Sequence, residues 1–581
     1  MVAAKKADFE TWARKLNISP ITARLIRNRG VVSIEDAYTY LEGGPGNSPG
    51  LLPDAFDAFY LLREARERGD KIRIVGDYDV DGICASYILE TGLAAAGFTA
   101  DVRLPERVRD GYGLNKSLVD EAIADGCQVL MTCDNGIAAI GEVAYAKEKG
   151  MRVIVTDHHE VVRDEAGEDV LPKADAVIDI KRSDSCYGFD GICGAVVAYR
   201  FLEYFFMEDI AAETAPYRSE ESSAVLQALL PFAALATVCD VMQLVDENRD
   251  IVRQGFQAIA TSDNAGLKAL IHVTGLSEKE ITAYHAGFVL GPCLNASGRL
   301  DTAIRALSLF EAKTEAEAVQ IATDLKALND SRKEMTIRAT EEAVLQLRAL
   351  EEGGRLPKII VTYLPDCHES IAGIVAGRVR EAFHRPAIIL TDAHTEEGEA
   401  PLIKGSGRSV PAYDMYDGLS KCADLFVKFG GHKAAAGMTL EQKNLEMLQN
   451  RLNAMTSLTE EDLEEVLHID MTLPLSVLTT DLVREWERLA PFGNGNPTPL
   501  FAARSVRLVS GRRIGRDARY GRFTAMDEAG TKAELMCFQD PTELLAQMEE
   551  GTPIHIAFEA RINSYRGEES VQLVLKDYLP A

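Results

Sequence analysis

Along residues 56–245, short apolar runs alternate with longer amphipathic segments. The runs at 72–75, 129–133, 153–156 and 176–180 have strand length, and the stretches between them carry helical spacing. This alternation predicts an α/β domain with a largely parallel sheet. Polar clusters recur at matching places. Asp77, Asp79 and Asp81 follow the first run, Cys133-Asp134-Asn135-Gly136 closes the second, and Asp157-His158-His159 follows the third. Each cluster lies at the carboxyl end of a predicted strand, where open α/β sheets collect ligands, so the clusters are expected to converge. Asp240, which closes the apolar segment 232–239, is a fourth candidate, read as another neighbouring strand end.

Elsewhere the pattern changes. Residues 1–55 read as short helices, with Ser19-Pro20 as a cap and a first helical Pro, and the Gly- and Pro-rich stretch 43–53 reads as a linker. Residues 303–350 hold few breakers and place Ile321, Leu325, Leu328, Met335 and Ala339 at near-heptad spacing, which predicts one long helix. Asn329, Arg332 and Glu334 read as solvated positions on it, with a groove-facing place as the alternative. A second α/β unit opens with the apolar run 358–361 and continues to residue 455. From 460 onward, alternating runs at 506–509, 554–558 and 571–575, separated by Gly-rich turns, predict a small β-barrel.

Length and composition narrow the class. A chain of 581 residues exceeds one core, so about three or four structural units are expected. No uninterrupted apolar run has membrane-spanning length, and the N-terminal basic residues precede no apolar segment, so a cytoplasmic protein is expected. Ten scattered cysteines form no C-x-x-C pair and no Cys/His ladder, which argues against a zinc ribbon or disulfide framework. The net charge of −28 opposes adhesion of the whole surface to nucleic acid, so any polyanion has to be met by a local patch. The basic stretch 501–523 offers one, with Arg504, Arg507, Arg512, Arg513, Arg516, Arg519 and Arg522 against Asp517. With Tyr520 and Phe523 it could track a single-stranded backbone and stack bases; a solvated hairpin face is the alternative.

Three carboxylates within five residues need neutralising. Two unit charges ~4 Å apart at an effective dielectric of ~20 repel by ~4 kcal/mol. A divalent metal site answers this, and a solvated acidic turn is the alternative. Asp79, Asp81, Asp134, His158, His159 and Asp240 offer oxygen-rich ligation with some nitrogen and no thiolate, which favours Mn²⁺ or Mg²⁺. A carboxylate shared by two ions is the usual device for hydrolysing phosphate esters, and Asp134 suits that bridging place. Structural histidines at a strand end are the alternative reading of His158 and His159.

The motifs Asp77-Tyr78-Asp79-Val80-Asp81-Gly82, Cys133-Asp134-Asn135-Gly136 and Asp157-His158-His159 resemble the first three motifs of the DHH phosphoesterase superfamily. The segment from Gly291-Pro292-Cys293 to Arg299, the stretch 368–378, Gly405-Ser406-Gly407-Arg408-Ser409, and Gly430-Gly431-His432 resemble its RecJ branch of single-strand-specific DNA exonucleases. Ala490-Pro491-Phe492-Gly493-Asn494-Gly495-Asn496-Pro497 resembles the lead into that family's OB-fold. The resemblance implies an α/β multidomain chain: a helical region 1–55, a DHH catalytic domain 56–302, a connecting helix 303–350, a DHHA1 substrate-binding domain 351–455 and an OB-fold 456–581. It implies Asp79 on one ion, Asp81, His158 and Asp240 on the other, Asp134 between them, and Asp77, Asp157 and His159 in catalytic support or phosphate contact. For substrate it implies Asn295, Arg299, His368, Arg378, Ser406, Arg408, Ser409 and His432, with Arg512, Arg513, Arg516, Arg519 and Tyr520 on nucleic acid.

Three positions depart from the family pattern. Val75 stands where many superfamily members place a metal-binding His, which implies a loosely held first ion. Cys293 stands where Arg is frequent, and Ser370 where Gly is common. The implied activity is 5′→3′ hydrolysis of single-stranded DNA to mononucleotides with two Mn²⁺ or Mg²⁺ ions, in recombination and repair beside a single-strand-binding protein and a helicase. A phosphodiesterase of short oligonucleotides or cyclic dinucleotides, and a non-catalytic replication or repair scaffold, are the alternatives.

Overall fold

The computed structural model describes residues 5–106, 111, 113–393 and 400–581; the first four residues of the N-terminal reading lie outside them. The chain divides into two compact units. One holds residues up to 268, 275–291 and 467–581; the other holds 269–274 and 292–466.

In the first unit, β1 (Lys71–Val75), β2 (Thr99–Arg103), β3 (Val129–Cys133), β4 (Arg152–Asp157) and β5 (Ala176–Asp179) form a sheet of order β2-β1-β3-β4-β5. All its pairings are parallel. Every residue of β3 is buried, as expected of parallel strands covered on both faces. The edge strand β2 escapes the sequence pattern because its Thr-Ala-Asp-Val-Arg has one buried position. Helices Val80–Ala95 and Gly194–Ala211 pack on the sheet, and Ser219–Cys239 packs on both of them. The last is long and apolar enough to cross a membrane by length and composition, yet Leu229, Phe232 and Leu235 are buried in the unit. It also corrects one expectation. Asp240 follows this helix, not a strand, because the Ala- and Leu-rich run before it continues a helix already started at Ser219.

The same unit contains the barrel. β11 (Met471–Thr472), β12 (Phe501–Ile514), β13 (Tyr520–Met526), β14 (Lys532–Cys537), β15 (Ile554–Tyr565) and β16 (Glu568–Pro580) run in the order β11-β12-β13-β14-β16-β15, and a further β12–β15 pairing closes the sheet. The N-terminal helices Phe9–Leu16, Pro20–Asn28 and Ile34–Glu42 share its core, with Trp12, Leu25 and Ile26 in one cluster with Trp486, Phe501 and Phe558.

Arg249 ties these parts together. Buried, it donates to the carbonyls of Tyr40, Leu489 and Arg488 at 2.9, 2.8 and 3.1 Å and stacks 4.0 Å from the Tyr40 ring. Burial holds its guanidinium below the ordinary value. Arg249→Met removes the charged donor from all three carbonyls, of which Leu489 O keeps the Tyr40 hydroxyl and the Asn496 amide, and is expected to cost roughly 2–4 kcal/mol. Thermal melting should show it as a lower first transition with the barrel cleaved faster by protease.

In the second unit, β6 (Ile360–Tyr363), β7 (Ala387–Asp392), β8 (Leu402–Arg408), β9 (Phe426–His432) and β10 (Ala435–Glu441) form a mixed sheet of order β6-β7-β8-β10-β9. A helix Glu315–Glu352 lays Ala339, Ala343 and Leu347 on Val375, Val379 and Phe383 of the helix Ala372–Phe383. Thr314 caps it through the Glu317 N–H, which separates it from the shorter helix Ile304–Glu311. Asn329 is 1% exposed, contrary to its reading as a solvated position, because its amide donates to Cys293 Sγ at 3.4 Å. Arg332 is half-buried and donates twice to Asn329 Oδ1, while Glu334 is exposed.

Candidate two-ion centre and phosphate-binding cluster

The first acidic cluster is shaped by the helix that follows β1. Asp79 caps Val80–Ala95, its Oδ1 accepting the N–H groups of Asp81 and Gly82 at 2.9 and 3.1 Å. Gly82 allows the turn to fold back, since a Cβ there would lie 2.5 Å from the Asp77 backbone. Asp81 is buried and takes the Gly194 and Ala195 N–H groups at 2.7 and 2.8 Å, so the positive end of Gly194–Ala211 faces a carboxylate. Gly194 also admits Asp134, whose Cβ would sit 2.6 Å from any Cβ at that position. Asp134 itself lies at φ 59.

The clusters converge as the strand-end pattern predicts. His158 Nε2 stands 3.1 Å from Asp134 Oδ1, 3.5 Å from Asp81 Oδ2 and 3.7 Å from Asp240 Oδ2. Ligand atoms lie within 4.8 Å of one another in three overlapping sets: Asp77, Asp79 and Asp134; Asp81, His158 and Asp240; and Asp134, His158 and His159. Asp77 thus stands among the ligand atoms as well as beside them. Asp157 lies beneath, one oxygen accepting His158 N, His159 N and His159 Nδ1, the other Ile137 N. Val75 is fully buried in an apolar cluster with Leu118 and Val119.

The electrostatics are those of an anionic cage. Burial, then the charges of Asp81, Asp79, Asp77 and Asp157, push Asp134 well above the usual carboxylate range. Burial and the Asp81 and Asp79 charges push Asp240 up to about 8, and burial with Asp81 raises Asp79. Burial lowers His158. For His159 burial opposes the charge, but the Asp157 hydrogen bond and charge outweigh it and raise the ring to about 9. Asp240 Oδ2 is buried and accepts no hydrogen bond among the described residues. Carboxylates and imidazole, with the buried Asp240 oxygen uncommitted, suit hard divalent ions.

Two supports escape sequence reading. Asp179 ends β5 beside Asp157, and burial with the Asp157 charge raises it to about 7; its place at the end of the run 176–180 was the available signal. Asn494 accepts Leu244 N at 2.7 Å and donates to Val241 O at 2.8 Å, so the segment before the barrel holds the turn that carries Asp240.

In the second unit, four predicted substrate residues gather at the start of Ala372–Phe383. Arg299 Nη1 donates to Ser370 O at 2.7 Å. Ser370 Oγ lies 2.7 Å from His368 Nδ1, and Ser370 N–H donates to the same nitrogen at 3.3 Å. Nδ1 is therefore an acceptor and the ring proton of neutral His368 sits on Nε2. Arg408 Nη1 donates to Ser406 Oγ at 2.9 Å, and both side chains lie against Gly373, where a Cβ would come within 2.8 and 3.0 Å of them. Arg378 lies on the same helix; its charge, after burial, lowers the Arg332 guanidinium.

Three features of these segments show only in the fold. Gly405–Arg408 is part of β8, laddered to both β7 and β10, so its backbone is engaged in the sheet and only side chains such as those of Ser406 and Arg408 are left to offer. Ser409 is buried and its hydroxyl donates to Tyr413 O, which commits it to the chain's own backbone. Cys293, where Arg is frequent in the family pattern, is buried and its thiol accepts the Asn329 amide. Asn295 is half-buried on Gly291–Leu300, and exposed His432 ends β9, two strands from Arg408.

On the barrel, Arg512, Arg513, Arg516, Arg519 and Tyr520 are all exposed at the β12–β13 hairpin. Arg513 pairs with Asp540, Arg519 with Asp517 and Arg522 with Glu534, while Arg512 stands directly across from Arg522. Tyr520 meets exposed Phe538 edge-on at 5.6 Å, a partner the sequence did not flag.

Comparisons with known proteins agree with this arrangement. Residues 71–237 match the profile of the DHH family, N-terminal domain, 356–461 that of the DHHA1 domain and 469–577 that of the RecJ OB domain. The chain is 32% identical over 573 residues to the single-stranded-DNA-specific exonuclease RecJ of Bacillus subtilis strain 168, spanning 98% of this chain and 69% of that protein. It is 32% identical over 600 residues to the same enzyme of Salmonella typhimurium, spanning 99% and 98%. Among solved structures it is similar to RecJ in complex with Mn²⁺ from Thermus thermophilus, with a TM-score of 0.79 at 26% identity over 100% of this chain and 79% of that one.

Proposed function

The chain belongs to the RecJ family of single-stranded-DNA-specific exonucleases, and from that premise we propose that it degrades single-stranded DNA from the 5′ end to mononucleotides at a centre for two divalent ions. The observation that carries this reading is the overlap of three ligand sets through Asp134 and His158. Asp81, His158 and Asp240 would hold one ion, Asp77 and Asp79 the other, and Asp134 both. Mn²⁺ or Mg²⁺ bound there supplies an activated water and neutralises charge on the phosphoryl oxygens. The chain's own residues do the rest. Asp157 holds the His159 ring through Nδ1, which leaves its outer nitrogen for the scissile phosphate. Asp79 and Asp81, fixed by backbone N–H groups, keep their free lone pairs aimed into the cage.

The His368 Nε2–H, Arg299, Arg378, Ser406 and Arg408 bind a terminal phosphate, and the arginines of the β12–β13 hairpin track the strand. Ser370→Ala keeps the carbonyl that holds Arg299 and the backbone N–H at His368 Nδ1, but removes the shorter, hydroxyl contact that orients the His368 ring. KM for 5′-phosphorylated oligonucleotides is expected to rise about 2- to 10-fold with kcat unchanged. Steady-state kinetics on 5′-phosphorylated and 5′-hydroxyl strands checks this; equal effects on both would contradict it.

The reading also carries cytoplasmic action in recombination and repair, beside a single-strand-binding protein and a helicase that deliver unpaired strands. The experiment that tests the activity is incubation with Mn²⁺ of labelled single strands, duplex and dinucleotides. Single strands should yield mononucleotides starting with the 5′ label, and duplex should persist. Cleavage of dinucleotides alone would favour a small-substrate phosphodiesterase.

A further inference from the structure

Beside the acidic centre lies an apolar surface that the assignments so far do not use. Tyr284 and Phe288, four residues apart, stack with ring centroids 5.2 Å apart and planes 26° from parallel, yet remain 65% and 68% exposed. They flank the start of a π-helical turn, Ala286–Leu290, an element that recurs at functional sites. This turn is seated on the end of the helix that delivers Asp240. Cys239 Sγ donates to Ala286 O at 3.6 Å, Gly287 lies against Val238, and a Cβ at Gly291 would meet Cys239 Sγ at 2.4 Å. The next residue after Asp240, Val241, is held at φ 57 with 65% of its surface exposed. A β-branched residue rarely adopts that backbone, and such strain clusters at ligand-binding positions. Core packing does not account for three exposed apolar side chains on the two segments that adjoin one metal-ligand candidate.

We infer that Tyr284 and Phe288 form a stacking platform for one nucleobase of the strand whose phosphodiester occupies the Asp240 centre. The occupant follows from continuity. A strand held at the carboxylates carries its bases within a nucleotide of that centre, and an unpaired base offers a flat apolar face that any sequence shares. A base in a duplex has both faces covered by its neighbours, so the platform also favours single strands. This inference rests on the reading of the acidic centre as the hydrolytic site.

The test is a cycle between platform and base. Binding of short single-stranded oligonucleotides, intact or with one abasic site stepped along from the 5′ end, is measured by anisotropy with Ca²⁺ in place of Mn²⁺, and kcat/KM in Mn²⁺. In the wild type, one abasic position should weaken binding about tenfold. Tyr284→Ala/Phe288→Ala should lose about as much on intact strands and nothing further at that abasic position. Tyr284→Phe/Phe288→Tyr should restore binding, and all variants should melt as the wild type does, since both side chains are exposed. Equal binding of intact strands by wild type and the double alanine variant would overturn the platform, as would additive losses at every abasic position. Absence of single-strand hydrolysis by the wild type would instead overturn the reading of the centre.

Discussion

Asp134→Asn is expected to lower kcat on single-stranded DNA by about a thousandfold or more, while the protein without divalent ions melts at the same temperature or higher. The two halves of this result have one cause. Asp134 sits among Asp77, Asp79, Asp81 and Asp157, and burial with their charges already drives its carboxyl toward the neutral form. Asn reproduces the shape of that protonated acid and tolerates the left-handed φ of 59. The amide removes a bridging anion without disturbing the Gly194 contact. The Mn²⁺-induced rise in melting temperature should therefore shrink together with turnover. Asp81→Ala is a poorer choice, because it also strips the Gly194 and Ala195 N–H groups of their acceptor.

The second large effect is on pH. With divalent ions removed by EDTA, stability is expected to fall steadily from pH ~5 to pH ~9, by several kcal/mol in total. The sign follows from proton counts. Asp240, raised from 3.8 to about 8, binds a proton in the folded state that the unfolded chain has released, so folding loses its advantage as pH climbs through that interval. Asp79 and Asp134 are raised and act in the same direction. His159, raised from 6.5 to about 9, adds stability below 6.5 that is lost as pH approaches 9. His158, lowered from 6.5 by burial, works oppositely, as pH falls below 6.5. Bound Mn²⁺ displaces the carboxyl protons, so its stabilisation should grow with pH over the same range. Melting curves at pH ~5 and pH ~9, each with EDTA and with Mn²⁺, check both trends. A rise of stability with pH in EDTA would contradict the cage.

Much of this site is legible before any coordinates, for a physical reason. Asp77 to Asp81, Asp134 and Asp157 to His159 each end a β-rich apolar run, and parallel strands bring their carboxyl ends to one edge. Asp240 was legible as a polar stop but not as a helix end, since a fully buried Ala/Leu run carries no period that distinguishes helix from strand. Gly405-Ser406-Gly407 has turn composition; only the ladders to β7 and β10, formed with residues 387–392 and 435–441, make it a strand. Tyr284 and Phe288 have the spacing of core residues on a helix, so their exposure shows only in the fold. Arg249, Asn494 and the shared core of Trp12 with Phe501 rest on contacts between residues hundreds of positions apart, which no local pattern encodes.

The central claim is that the overlapping carboxylate and imidazole sets form one centre for two ions. Mn²⁺ titration followed by electron paramagnetic resonance measures this most directly. The wild type should bind two Mn²⁺ per chain as a spin-coupled pair, the second more weakly because Val75 contributes no ligand on the Asp79 side, and Asp134→Asn should lose the coupling. Two independent, equally tight and uncoupled ions, or coupling that survives in Asp134→Asn, would contradict it.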